Sequence, residues 1–105
     1  MEKFENVSVK IPANVYFDGK VTSREITLPS GEKKTLGIML AGEYTFNTDA
    51  PELMEVTAGE AEIKLAGESE FTTYKAGESF NVPGNSSFDL KIANIFDYIC
   101  TFLAE

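Results

Sequence analysis

Apolar residues in this chain recur at every second position, and between Asn14 and Leu103 no window of helical length repeats them at three and four. Such a chain folds as strands. Ala61, Ile63 and Leu65 share one face against Glu62 and Lys64, and Ser86, Phe88, Leu90 and Ile92 oppose Ser87, Asp89 and Lys91. Each of these segments therefore has one buried and one wet face. Leu36, Ile38 and Leu40 form a further alternating run, Glu52, Met54 and Val56 share a parity, and Phe96 to Leu103 is nearly all apolar, as in a strand covered on both sides. The tripeptide Ala-Gly-Glu occurs at 41–43, 58–60, 66–68 and 76–78, each time between strand-like segments, where glycine supplies the positive φ of a tight turn. Other breaks fall at Phe17-Asp18-Gly19-Lys20, Pro29-Ser30-Gly31, Asp49-Ala50-Pro51 and Pro83-Gly84-Asn85. About eight to ten short strands at this spacing predict a sandwich or closed barrel. A length of 105 residues suits one domain, with 1–13 as a loosely attached N-terminal segment and 14–105 as the folded unit.

Nine basic against seventeen acidic residues give a net charge of −8, which repels nucleic-acid backbones and anionic membrane surfaces. No run approaches the ~18 apolar residues of a membrane span, and the start MEKFENVSVK has no apolar signal core. The expected location is the cytoplasm. The single thiol, Cys100, has no intrachain disulfide partner, and its alternation with Tyr98 and Phe102 reads as a small core residue.

The chain contains no histidine, which removes Ser-His and Cys-His dyads, an imidazole base and His-rich metal sites. Gly19-Lys20 is no phosphate loop, because the glycine required at position 14 is Asn14. One spacing is more specific: Gly77, five residues, Pro83, Gly84-Asn85, two serines, Phe88. It resembles the second signature of the cupins, with the glycine moved one place forward and Phe88 where a metal-binding His belongs. Glu52, six residues and Gly59 resemble the end of the first signature, whose histidines are missing from Tyr44-Thr45-Phe46-Asn47-Thr48. The expectation is an all-β, single-domain, cupin-like β-barrel of jelly-roll type without a metal site, and with Glu52, Met54, Val56, Phe80, Val82, Phe88 and Leu90 facing inward.

A closer resemblance rests on Tyr16-Phe17-Asp18-Gly19-Lys20-Val21, Gly37-Ile38-Met39, Gly42-Glu43-Tyr44-Thr45-Phe46, Pro51-Glu52, Tyr74-x-Ala76-Gly77, Phe80-Asn81-Val82-Pro83-Gly84 and Tyr98-Ile99-Cys100. From about Asn14 to Phe102 the chain is similar to the small bacterial pyrimidine/purine nucleoside phosphorylases. It departs from that pattern at Asn85 and Asp89, where members can carry His, and at Thr101, where they can carry Arg. The resemblance implies cleavage of purine and pyrimidine nucleosides by inorganic phosphate, giving free base and pentose 1-phosphate, with phosphate as co-substrate and no other cofactor. Cupin-like relatives commonly pair, and the apolar run from Phe96 suits a homodimer. Residue patterning by itself leaves open a non-catalytic, metal-free barrel that binds a sugar or metabolite.

The reaction passes through a cation-like sugar and needs a phosphate pocket, contacts to sugar hydroxyls and an apolar slot for the base. Glu52, inward among Met54, Val56 and aromatics, is the catalytic candidate: burial raises its pKa, and it could hold sugar hydroxyls or act as the acid toward the base. The alternative is a glutamate beside a proline turn that faces solvent. Tyr44, Phe46, Phe80, Phe88 and Tyr98 are the candidate stacking slot, with Met54 beside them, since every base offers a π-face. Thr48 and Ser86 supply hydroxyl donors. Among the cations Lys20, Arg24, Lys33 and Lys34, the candidates for phosphate are Lys20, inside the resembling stretch, and Arg24, whose planar fork suits an anion.

Overall fold

A computed structural model describes residues 3–103; residues 1, 2, 104 and 105, at the outer ends of the two segments expected above, lie outside the described residues. Among the described residues eight strands occur: β1 (Ser8–Val9), β2 (Asn14–Tyr16), β3 (Val21–Thr27), β4 (Lys33–Asn47), β5 (Glu52–Leu65), β6 (Thr72–Lys75), β7 (Ser79–Val82) and β8 (Ser87–Phe102). They form one antiparallel sheet in the order β1-β3-β4-β8-β5-β6, with β2 also on β3 and β7 also on β5. No α-helix occurs among the described residues, and no helix is long and apolar enough to cross a membrane. A 3-10 turn at Phe17–Gly19 joins β2 to β3, with Phe17 (φ 52°) and Asp18 (φ 55°) both left-handed.

Three strands are unusually long, and β8 lies between the other two. Its C-terminal half pairs with Lys34–Leu40 of β4 and with Glu52–Ala58 of β5, and its N-terminal half pairs with Gly42–Asn47 and with Glu62–Leu65. The register slips between Leu40 and Gly42, and again around Ala58 and Gly59. The four Ala-Gly-Glu tripeptides therefore divide. Those at 66–68 and 76–78 are turns, each closed twice: Glu68 N–H donates to the Leu65 carbonyl while its carboxylate accepts from Leu65 N–H, and Glu78 does the same with Lys75. Those at 41–43 and 58–60 are not turns but lie inside β4 and β5 at the slips. The physical reason is that a bulge, like a tight turn, can use the backbone freedom of glycine: Gly59 is left-handed at φ 75°, and Gly42 takes a nearly extended φ of 153°.

Inside the curl lies one core, drawn from β3, β4, β5, β7 and β8. Met54, Val56, Phe80, Val82, Phe88 and Leu90 are buried in it as the alternation requires, and Glu52 is half-buried at its edge. The Leu36-Ile38-Leu40 run behaves differently: Thr35 and Met39 are buried, while Leu36 and Leu40 are exposed. Inward parity on β4 belongs to the less apolar set, because Tyr98 fills the space beside Gly37 that a leucine would need. From Phe96 to Cys100 the apolar run of β8 is likewise covered on one face only. Phe96, Tyr98 and Cys100 are buried, whereas Ile95 is exposed and Ile99 half-buried on the outer face.

Candidate active site

A cavity of about 440 Å³ opens at one end of the curl, between β2, β3, β4, β5, β8 and the loop that precedes β5. Glu52 enters it as the first residue of β5, opposite Val82 of β7 on one side and Phe102 of β8 on the other. Pro51 ends the loop, so the strand parity that buries Met54 and Val56 begins at this carboxylate. Burial raises the Glu52 pKa above the ordinary carboxylate value, and the neighbouring Cys100 thiol opposes that rise. Burial, reinforced by Glu52, also pushes the Cys100 thiol up. The Tyr98 phenol is pushed up in the same way, by burial first and then by Cys100, against a hydrogen bond with Ser23. Asn14 Nδ2 donates to Ser23 Oγ at 3.2 Å, tying β2 to this polar wall.

The facing wall is aromatic. Phe46 lies 6.1 Å from Phe88, centroid to centroid, at 29° between planes, and Tyr16 and Phe17 meet Phe46 edge-on at 5.8 and 5.4 Å. Tyr16 and Phe102 line the mouth beside them. The charged lining is acidic throughout, with Glu25, Asp49 and Glu52 and, among the described residues, no Lys or Arg. No grouping of three or more His, Cys, Asp or Glu suited to a metal occurs among the described residues. The cavity thus joins a half-buried carboxylate, neutral hydroxyl and amide donors and flat apolar surfaces, a set suited to a polyol that carries an aromatic ring.

Of the residues singled out from sequence, Glu52, Phe46, Met54, Phe88 and Tyr98 come together here. Six others do not line this cavity. The Tyr44 hydroxyl donates to the Leu40 carbonyl at 2.7 Å and its ring packs on Phe17, away from Glu52. Thr48 is buried, donating from Oγ1 to the Pro83 carbonyl and accepting from Ser86 N–H, so Thr48 and Ser86 pin the loop after β4 to the loop before β8. Phe80 is core, against Tyr74 and Phe88. Lys20 is exposed at the end of the 3-10 turn, and Arg24 points from the outer face of β3, its Nε donating to the Ile11 carbonyl. Strand parity separates Arg24 from the inward Ser23 and Glu25. Sequence reasoning missed Asn14, Tyr16, Ser23, Glu25, Thr35, Asn47, Asp49 and Phe102, and assigned Cys100 to the core alone. Phe102 carried a usable signal, since it shares the parity of Tyr98 and Cys100.

Comparison with known proteins supplies the remaining evidence. The family model described as pyrimidine/purine nucleoside phosphorylase matches residues 11–102. A protein of that name from Clostridioides difficile (strain 630) is 57 % identical over 105 residues, covering 100 % of both chains. Another, from Chlorobium chlorochromatii (strain CaD3), is 58 % identical over 103 residues, covering 98 % of this chain and 99 % of that one. A solved protein of unknown function from Acinetobacter sp. ADP1 superposes with a TM-score of 0.94 at 40 % identity, covering 96 % of this chain and 98 % of the other. The Clostridium difficile EutQ protein superposes at 0.65 with 16 % identity, over 81 % of this chain and 64 % of that one, and carries only the fold, which is cupin-like. With the model spanning nearly all of the described residues, and full-length relatives more than half identical, the chain belongs to the pyrimidine/purine nucleoside phosphorylase family.

Proposed function

We propose that this chain is a nucleoside phosphorylase whose chemistry takes place at Glu52. Inorganic phosphate attacks the anomeric carbon of a purine or pyrimidine nucleoside, the bond from that carbon to the base nitrogen breaks, and free base and pentose 1-phosphate leave. The observation that carries this reading is a half-buried carboxylate with, among the described residues, no lysine or arginine beside it in the cavity, facing an aromatic wall. Glu52, ionised, accepts hydrogen bonds from the sugar hydroxyls and stabilises the positive charge that the sugar ring develops. Asp49 and Glu25 add to the same field. Phe46 and Phe88, with Tyr16 and Phe102 at the mouth and Met54 beneath, form a slot that accepts a purine or a pyrimidine on its flat faces. Neutral donors, the amides of Asn14 and Asn47 and the hydroxyl of Tyr98, hold phosphate. Lys20 and Arg24, outside the cavity, are given no part in this.

The outer face of β4 and β8 supports a homodimer. Leu36 stands opposite Ile99 and Leu40 opposite Ile95, two outward-facing apolar pairs on either side of Ile38 and Asp97, and a second copy of the chain would cover them. The single free thiol is consistent with the cytoplasm, the compartment we assign. The test incubates inosine or uridine with phosphate and follows free base and pentose 1-phosphate. Release of base only when phosphate is present is the expected result. Nucleoside binding without any base release would overturn the reading in favour of a binding protein.

A further inference from the structure

Two buried side chains that this chemistry leaves unused, Thr35 and Cys100, share the cavity lining with Glu52. The three sit on adjacent strands. Thr35 of β4 is directly opposite Cys100 of β8, Cys100 is directly opposite Met54 of β5, and Glu52 is the next residue of β5 on the same face, a diagonal neighbour of the thiol. Cys100 is only 5 % exposed, and it stands in this row between Thr35 and Glu52, with both of which it lines the cavity.

We propose that Cys100 is a positioning residue for Glu52: the Thr35 hydroxyl donates to the Cys100 sulfur, and the Cys100 thiol donates to the Glu52 carboxylate, fixing the direction in which that carboxylate meets the sugar. The proposal rests on the reading of Glu52 as the group that holds the sugar. Burial and the adjacent carboxylate keep the thiol protonated, so it serves as a hydrogen-bond donor and not as a nucleophile. The other titratable groups around Glu52 are Tyr98 on β8, Tyr16 on β2, Glu25 on β3 and Asp49 in the loop before β5; β7 presents only Val82 there. The Lys34 ammonium, the cation felt by Cys100, is bound to Thr101 and Glu32.

Because the chain has one cysteine, its S–H stretching band in the infrared reports this thiol alone. A lowered, broadened band in the wild type that moves toward the free-thiol frequency in Glu52→Gln is expected. In phosphorolysis, Cys100→Ala should move the acidic limb of kcat/KM up by about half a pH unit, because the carboxylate loses a donor, and should lower kcat by roughly 2- to 10-fold. Cys100→Ser, which keeps a donor, should restore both, and Thr35→Val should shift the limb less than Cys100→Ala does. A free-thiol band unmoved by Glu52→Gln, or an unshifted limb in Cys100→Ala, would overturn the proposal. If the wild type turns over no nucleoside, the reading of the site fails, and the infrared arm still decides whether the thiol is bonded to Glu52.

Discussion

Glu52 is where folding and chemistry pull apart. Its pKa is raised by burial, so the native state holds that proton more tightly than the unfolded chain does. Its contribution to stability is therefore fully present below the ordinary glutamate value and is lost as pH rises through the raised one. Glu52→Gln should accordingly lower kcat/KM by on the order of 100-fold, as removal of a charge aimed at the transition state does, while the melting temperature near neutrality stays level or rises. Thermal melts beside steady-state rates check both, and a large loss of stability with activity intact would make Glu52 structural. Because no step is assigned to a metal, exhaustive treatment with chelator should leave turnover unchanged, and loss restored by added metal would contradict the proposed chemistry. Glu52 was legible in the sequence because Pro51 marks the strand start and Met54 and Val56 fix its parity. Ser23 and Thr35 were not, since a small polar residue on a strand reads as solvent-facing, and only the finished cavity shows it turned inward.

At the level of elements, glycines with the same φ sign do different work. Gly59 (φ +75°) sits at the bulge of β5, where an added Cβ would run into the Ile95 carbonyl of β8. Gly67 (φ +87°) sits in a turn with open space around it. Both Gly→Ala changes meet the left-handed penalty of about 1–2 kcal/mol. Gly59→Ala adds a backbone collision and should be the more destabilising by at least ~1 kcal/mol, as large single-site losses of stability generally trace to such strain. Denaturant melts of the two variants measure the difference, and equal losses would show that β8 yields at that point. The alternation made the strands visible, yet the four Ala-Gly-Glu marks looked alike. Sequence encodes the positive φ, whereas the choice between turn and bulge is set by whether a partner strand runs past, and that is a long-range fact. Parity on β4 was hidden for a related reason: the inward side contains Gly37, whose missing side chain is filled by Tyr98 from another strand.

For the whole molecule, the net charge of −8 and the apolar pairs on β4 and β8 act in opposite directions on association. Leu40, 44 % exposed in one of those pairs, lies on the face away from the cavity. Leu40→Glu should convert the proposed dimer to monomer in light scattering at micromolar concentration, with the circular dichroism of the folded sheet retained. A wild type that is already monomeric under those conditions would remove the dimer. The placement of β8 has a further consequence, for the order of events in biosynthesis. Eighth of the strands to leave the ribosome, it is the central strand of the sheet, so β4 and β5 emerge with the edges that will face it still unpaired. The earlier strands can form hairpins, but their shared core waits for a segment translated after all of them. The shared core thus assembles only once β8 has emerged and chiefly through distant contacts, and nascent chains halted before residue 87 should be the species that chaperones hold and proteases clear.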